Sequence, residues 1–83
     1  MSHWNLAITV EAAESSWDLE GRVLEILREA GYAASVERLR RPDHGRLALT
    51  FAVVAQARPE IAMREIAAAL AALPAADVLI GER

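Results

Sequence analysis

The chain has 83 residues, no cysteine and a formal net charge of −3, with 54% hydrophobic and 25% charged residues. A length of this order makes one domain that buries about 60–65% of its unfolded surface. The missing cysteines exclude a disulfide framework and a thiolate metal site, and the acidic balance argues against nonspecific nucleic-acid binding, which needs clustered positive charge. No apolar run approaches the ~20 residues that span a bilayer. The opening MSHWNLAITV lacks the basic start and long apolar centre of a signal peptide, so a soluble, cytoplasmic protein is expected.

Trp4, Leu6, Ile8 and Val10 alternate with Asn5, Ala7 and Thr9, the period of a half-buried strand. The stretch EAAESS then reads as a loop, with Ser15 or Ser16 suited to cap a helix. Asp18, three residues after Ser15, favours the positive end of that helix. Leu19, Val23, Ile26, Leu27 and Ala30 share one helical face, and Glu20, Glu25, Arg28 and Glu29 lie away from it. Gly21 inside this helix costs ~1 kcal/mol relative to alanine, so a helix-packing contact is expected there. Gly31 is placed to end the helix in a left-handed conformation.

Residues 32–40 read as a second strand whose inward set is ambiguous. Tyr32, Ala34 and Val36 share one parity and Leu39 has the other. Glu37, Arg38, Arg40 and Arg41 load its far end with charge, as suits an edge strand. Arg41-Pro42-Asp43-His44-Gly45 has the chemistry of a short hairpin turn. Leu47, Leu49, Phe51 and Val53 then alternate with Ala48, Thr50, Ala52 and Val54. That second set is small and weakly polar, which implies partial cover on that face. Pro59 fits the first turn of a second helix, with Ala62, Ile66, Ala69, Leu70 and Leu73 as its buried stripe and Met63 beside it. Pro74 stops it. Val78, Leu79 and Ile80 form a short last strand ended by Gly81.

Strand, helix, strand, strand, helix, strand is the order of an α+β, ferredoxin-like βαββαβ sandwich. Right-handed crossovers place both helices on one face of an antiparallel four-stranded sheet of order 4-1-3-2. The well-alternating first and third strands become central, and the charged second and short fourth become edges. The other sheet face is left for solvent or a partner, and its Ala, Thr and Val content favours a partner.

The segments Arg22-Val23-Leu24, Ile26-Leu27, Gly31-Tyr32, the strand from Ala34 to Leu39 and Leu47-Ala48-Leu49-Thr50-Phe51 resemble the ACT domain, a small ligand-sensing module. In layout the likeness spans residues 1–83 as a single domain. The run Leu70-Ala71-Ala72-Leu73-Pro74 with its following strand is similar to two branches, the short regulatory subunit of acetolactate synthase and the soluble C-terminal domain of MgtC/SapB-type membrane proteins. The resemblance implies a homodimer, joined through edge strands or helices, and an amino acid bound at the interface. It places a ligand pocket between the Glu14–Asp18 loop and the start of the second strand, with Glu14, Ser16, Asp18 and Ala33 as ligand-binding candidates. Two positions depart from the family pattern. Asp18 stands where ligand-binding members carry glycine, and Ala33 stands where asparagine is frequent.

The remaining chemistry-bearing residues have plainer readings. His44 suits a solvated turn, His3 lies near the terminus, and Trp17 suits a staple at the helix entry. Arg38, Arg40, Arg41 and Arg46 cluster about the hairpin, but the stacking aromatics of RNA-binding sheets are missing from the central strands. Glu11, Glu14 and Asp18 make an acidic, helix-capping loop without calcium-loop spacing. No serine has a histidine and an acid in a recognised arrangement. The expectation is a non-enzymatic ACT-like regulatory module without cofactor or metal, acting on a partner enzyme or membrane protein, with a small-molecule effector and no nucleic acid. The alternatives are a C-terminal assembly domain of an MgtC/SapB-type protein and, behind it, an RNA-binding sheet.

Overall fold

The computed structural model describes residues 3–14, 18–74 and 76–83. The elements are β1 (Trp4–Ala13), α1 (Leu19–Glu29), β2 (Ala33–Arg40), β3 (Arg46–Ala55), α2 (Pro59–Leu70) and β4 (Asp77–Glu82). The sheet order is β2-β3-β1-β4 with every neighbouring pair antiparallel. This is the expected ferredoxin-like sandwich read from the opposite edge, with β1 and β3 central.

One apolar cluster holds it together. Leu6, Ile8 and Val10 of β1 and Leu49, Phe51 and Val53 of β3 meet Leu19, Val23 and Leu27 of α1 and Ala62, Ile66 and Leu70 of α2. Both helices therefore cover the same sheet face. No polar or charged side chain among the described residues is buried, so this core is stabilised by apolar area alone, about 1.5–3 kcal/mol for each large side chain. Ile26 is only partly buried and Ala30 is exposed, so the stripe of α1 is narrower than its sequence spacing suggests.

Several boundaries differ from the sequence reading, each for a local reason. β1 runs on through Glu11, Ala12 and Ala13, which pair with Ala48, Leu47 and Arg46. Ala12 continues the inward alternation and Glu11 finds a guanidinium, so the acidic stretch joins the strand. The β2 ambiguity is a β-bulge: the register shifts between Val36 and Arg38. The extra residue, Glu37, flips the parity, so Leu39 pairs with Leu49 as Val36 pairs with Phe51. β2 starts at Ala33, after Tyr32. α2 ends at Leu70, and Leu73 is buried in the turn beyond it. Gly81 does not end β4; it pairs with Ala7 inside the strand.

The cap of α1 is a further correction. Asp18 is the N-cap, with extended backbone, and its Oδ1 accepts from the Gly21 amide at 3.0 Å. Ser15, Ser16 and Trp17 lie outside the described residues. A Cβ at Gly21 would sit 2.2 Å from Asp18 Oδ2. The glycine therefore makes room for the capping carboxylate and not for another helix. At the other end Gly31 has φ 94°, and the Gly31 and Tyr32 amides donate to the Arg28 and Leu27 carbonyls at 2.9 Å. Helix α1 ends there as expected.

Candidate functional site

The sheet face away from the helices is ordered in rows across the strands by the register. Asp77, Glu11, Ala48 and Arg40 form the first row; Leu79, Thr9, Thr50 and Arg38 the second; Gly81, Ala7, Ala52 and Ser35 the third. Asn5, Val54 and Ala33 lie beyond. Its middle is a floor of small side chains, with the Thr9 and Thr50 hydroxyls 3.3 Å apart at the centre. Leu79 is 74% exposed and Val54 43% exposed on this side, which makes them the apolar groups that solvent meets.

Charge is arranged around that floor. Arg46 donates to Glu11 Oε2 from Nε at 3.2 Å and Nη2 at 3.0 Å, and from Nη2 to Asp77 Oδ2 at 3.2 Å. This network ties β3 to β1 and β4 at one end. At the other end the Arg83 amide donates to the Asn5 carbonyl, and the Arg83 guanidinium pairs with Glu37 on β2. Arg83 flanks β1 on the β4 side, and the helices fill the opposite sheet face, so this pair crosses the open face and covers part of it. Arg41 pairs with Glu14 at 3.1 Å. Arg38 and Arg40 have no ionic partner among the described residues.

The residues singled out for ligand binding are not gathered in one place. Glu14 and Asp18 flank the entry to α1, whereas Ala33 pairs with Val54 at the far end of the sheet. The length of α1 separates them, about 16 Å at the helical rise. Glu14 is held by Arg41, and its amide donates to the Gly45 carbonyl. Asp18 is occupied as the helix cap, and Ser16 lies outside the described residues. Ala33 lines a depression of about 330 Å³ with His3, Gly31, Tyr32, Val54 and Gln56. Glu14 instead lines an open cleft of about 520 Å³ with Arg41, Asp43 and His44 at the hairpin.

Beside the Ala33 depression, Tyr32 donates its hydroxyl hydrogen bond to Glu65 of α2. Its pKa is pushed up to about 12, first by partial burial, then by that hydrogen bond and by the negative charge of Glu65. Neither this tie nor the Glu11–Arg46–Asp77 network was visible as spacing. Their members are far apart in the chain, and only the strand register and helix docking bring them together.

No family model matches the chain, and no curated protein matches it. Among solved structures, an unknown protein from Galdieria sulphuraria is similar over 99% of this chain and 46% of that one, with TM-score 0.78 and 18% identity. A de novo designed protein, Foldit4, is similar over 99% of this chain and 97% of that one, with TM-score 0.63 and 12% identity. Formyltetrahydrofolate deformylase from Burkholderia mallei is similar over 95% of this chain and 28% of that one, with TM-score 0.60 and 14% identity. What these likenesses share with the chain is the fold. The chain spans less than half of the length of the Galdieria protein and of the deformylase.

Proposed function

We propose that this chain is a non-catalytic, ACT-like regulatory module that dimerises through its open sheet face and tunes a partner enzyme or membrane protein. The observation that carries the reading is the contrast between the two faces of one sheet. One is sealed by two helices, and the other offers a floor of Ala, Ser, Thr and Gly with Leu79 standing in solvent. Such a floor lets a second backbone approach closely where the Arg83–Glu37 pair does not cross it.

Regulation then requires an effector that prefers one arrangement of the assembly to another. The effector class is a small metabolite such as an amino acid. Asp18 already supplies a carboxylate at the α1 amino end, so the carboxylate of a ligand is repelled there. The Ala33 depression, with Val54 in its wall, is the approach that borders the open face. Titration calorimetry with amino acids at millimolar concentration, run beside light scattering, tests the reading. Heat together with a change in mass supports sensing. A dimer that gives no heat leaves a structural role, and a monomer that gives no heat removes the reading.

A second reading, an assembly domain attached to an MgtC/SapB-type membrane protein, is favoured by one observation. The same fold unit is a part of longer chains in the Galdieria protein and the deformylase. A multi-span hydrophobic segment encoded directly upstream would decide for it, and a free start at Met1 would decide against it.

A further inference from the structure

We propose that two copies of this chain pack open face to open face about a two-fold axis parallel to the strands, with each β2 edge over the β4 edge of the partner subunit. The inference rests on the dimerisation proposed above and goes beyond it by fixing the surface and the axis. The warrant is the charge pattern of the face. Its β4 edge carries Asp77 in the first row and Arg83 beyond the last, and its β2 edge carries Arg40 in the first row, Arg38 in the second and Glu37 at the bulge near mid-strand.

A two-fold axis along the strands lays each row over its own reversal. Arg40 then meets Asp77 of the partner subunit. Arg83 comes to the side that holds Glu37 of the partner subunit, so the strap within each chain can be exchanged for one between chains. The aliphatic stem of Arg38 lies over Leu79 of the partner subunit and covers the most exposed large apolar side chain of the face. Asp77 can accept this contact at Oδ1, because Arg46 engages only its Oδ2 and the side chain is largely in solvent. The Thr9–Thr50 pair falls at the axis, where small side chains let the sheets close.

The other axis in the plane of the face, perpendicular to the strands, stacks β2 on β2. It sets Glu37 against Glu37 and places Arg38 and Arg40 over Ser35 and Ala33, leaving these guanidiniums unpaired. A charge buried without a partner is costly, so the charge pattern selects the parallel axis. The face is about 19 Å wide and about 24 Å long from strand spacing and rise, or about 450 Å² per copy. Both copies together bury about 900 Å² before the long edge side chains are added, the small end of specific association. A reversible dimer in the micromolar range is expected.

The test is charge reversal read by sedimentation velocity and native mass spectrometry, with circular dichroism to check folding. Arg40→Asp puts two acids where each chain must meet itself, and Asp77→Arg puts two bases there. Each variant alone is expected to bind itself about ten-fold more weakly or worse. An equimolar mixture of the two is expected to form a heterodimer about as tight as the wild-type dimer. The double variant in one chain, Arg40→Asp with Asp77→Arg, is expected to regain self-association, which guards against a single variant that fails to fold. A wild-type chain that stays monomeric at millimolar concentration overturns both this inference and the dimeric reading. A wild-type dimer whose single variants associate normally, or do not pair with each other, overturns this geometry and leaves dimerisation standing.

Discussion

Phe51 and Ala52 are neighbours in β3, yet they belong to two different kinds of surface. Phe51 is wholly buried between the sheet and both helices, while Ala52 faces the other way onto the floor of small side chains. The helix-covered face is built from bulky, interlocking apolar groups, and the open face from residues that almost any fold tolerates. The lesson is that stability and association are assigned to opposite sides of one sheet. Period two in β1 and β3 lets the sequence tune each side separately.

The sharpest way to break that comparison is to cut both sides at adjacent positions. Phe51→Ala should cost about 3–5 kcal/mol of folding free energy in urea or thermal denaturation. Ala52→Ser, one residue on, should stay within about 0.5 kcal/mol. Comparable losses at the two positions would mean that the open face also holds the fold together.

A smaller effect sharpens the account of how α1 is set against the core. Asp18→Ala should cost about 1 kcal/mol by removing the cap. Gly21→Ala in the wild-type chain should be nearly neutral, because better helix propensity is offset by displacement of the Asp18 carboxylate. In the Asp18→Ala background the same change should stabilise by up to about 1 kcal/mol. Equal effects of Gly21→Ala in both backgrounds would sever the link between the two residues.

The tie between Tyr32 and Glu65 predicts a pH dependence. The folded phenol keeps its proton up to about pH 12, whereas an unfolded tyrosine releases it near pH 10. Between those values the unfolded chain binds fewer protons, so stability falls as pH rises. The contribution is complete below pH 10 and gone above the folded value. Tyr32→Phe should flatten the slope of thermal stability over that window, and an unchanged slope would assign it to other groups. The smallest effect belongs to the open face. Leu79→Ser should leave the thermal midpoint of the dilute chain unchanged within error, because that side chain already lies in solvent.

Much of the fold was legible before any coordinates. Alternation at Leu47, Leu49, Phe51 and Val53 marked a central strand, Gly31 marked a helix end, and the element order fixed the sheet order by handedness. Charge misled the reading of β1, because Glu11 looks like a loop residue until Arg46 is placed beside it. β2 looked inconsistent because one extra residue, Glu37, changes which parity faces inward, and a bulge leaves no mark in composition. The candidate site was less legible. The family resemblance groups Glu14, Ser16, Asp18 and Ala33, but α1 carries the chain from one end of the sheet to the other between Asp18 and Ala33. The rows of the open face depend on register across strands far apart in the chain, which local periodicity does not contain.

Light scattering of the wild-type chain and of Ala52→Arg, across concentrations from micromolar to millimolar, addresses the division of labour between the faces most directly. The account predicts a wild-type mass that rises toward twice that of one chain, and a variant that stays monomeric with its thermal midpoint unchanged. A variant that still doubles its mass, or a wild-type chain that never does, would contradict it.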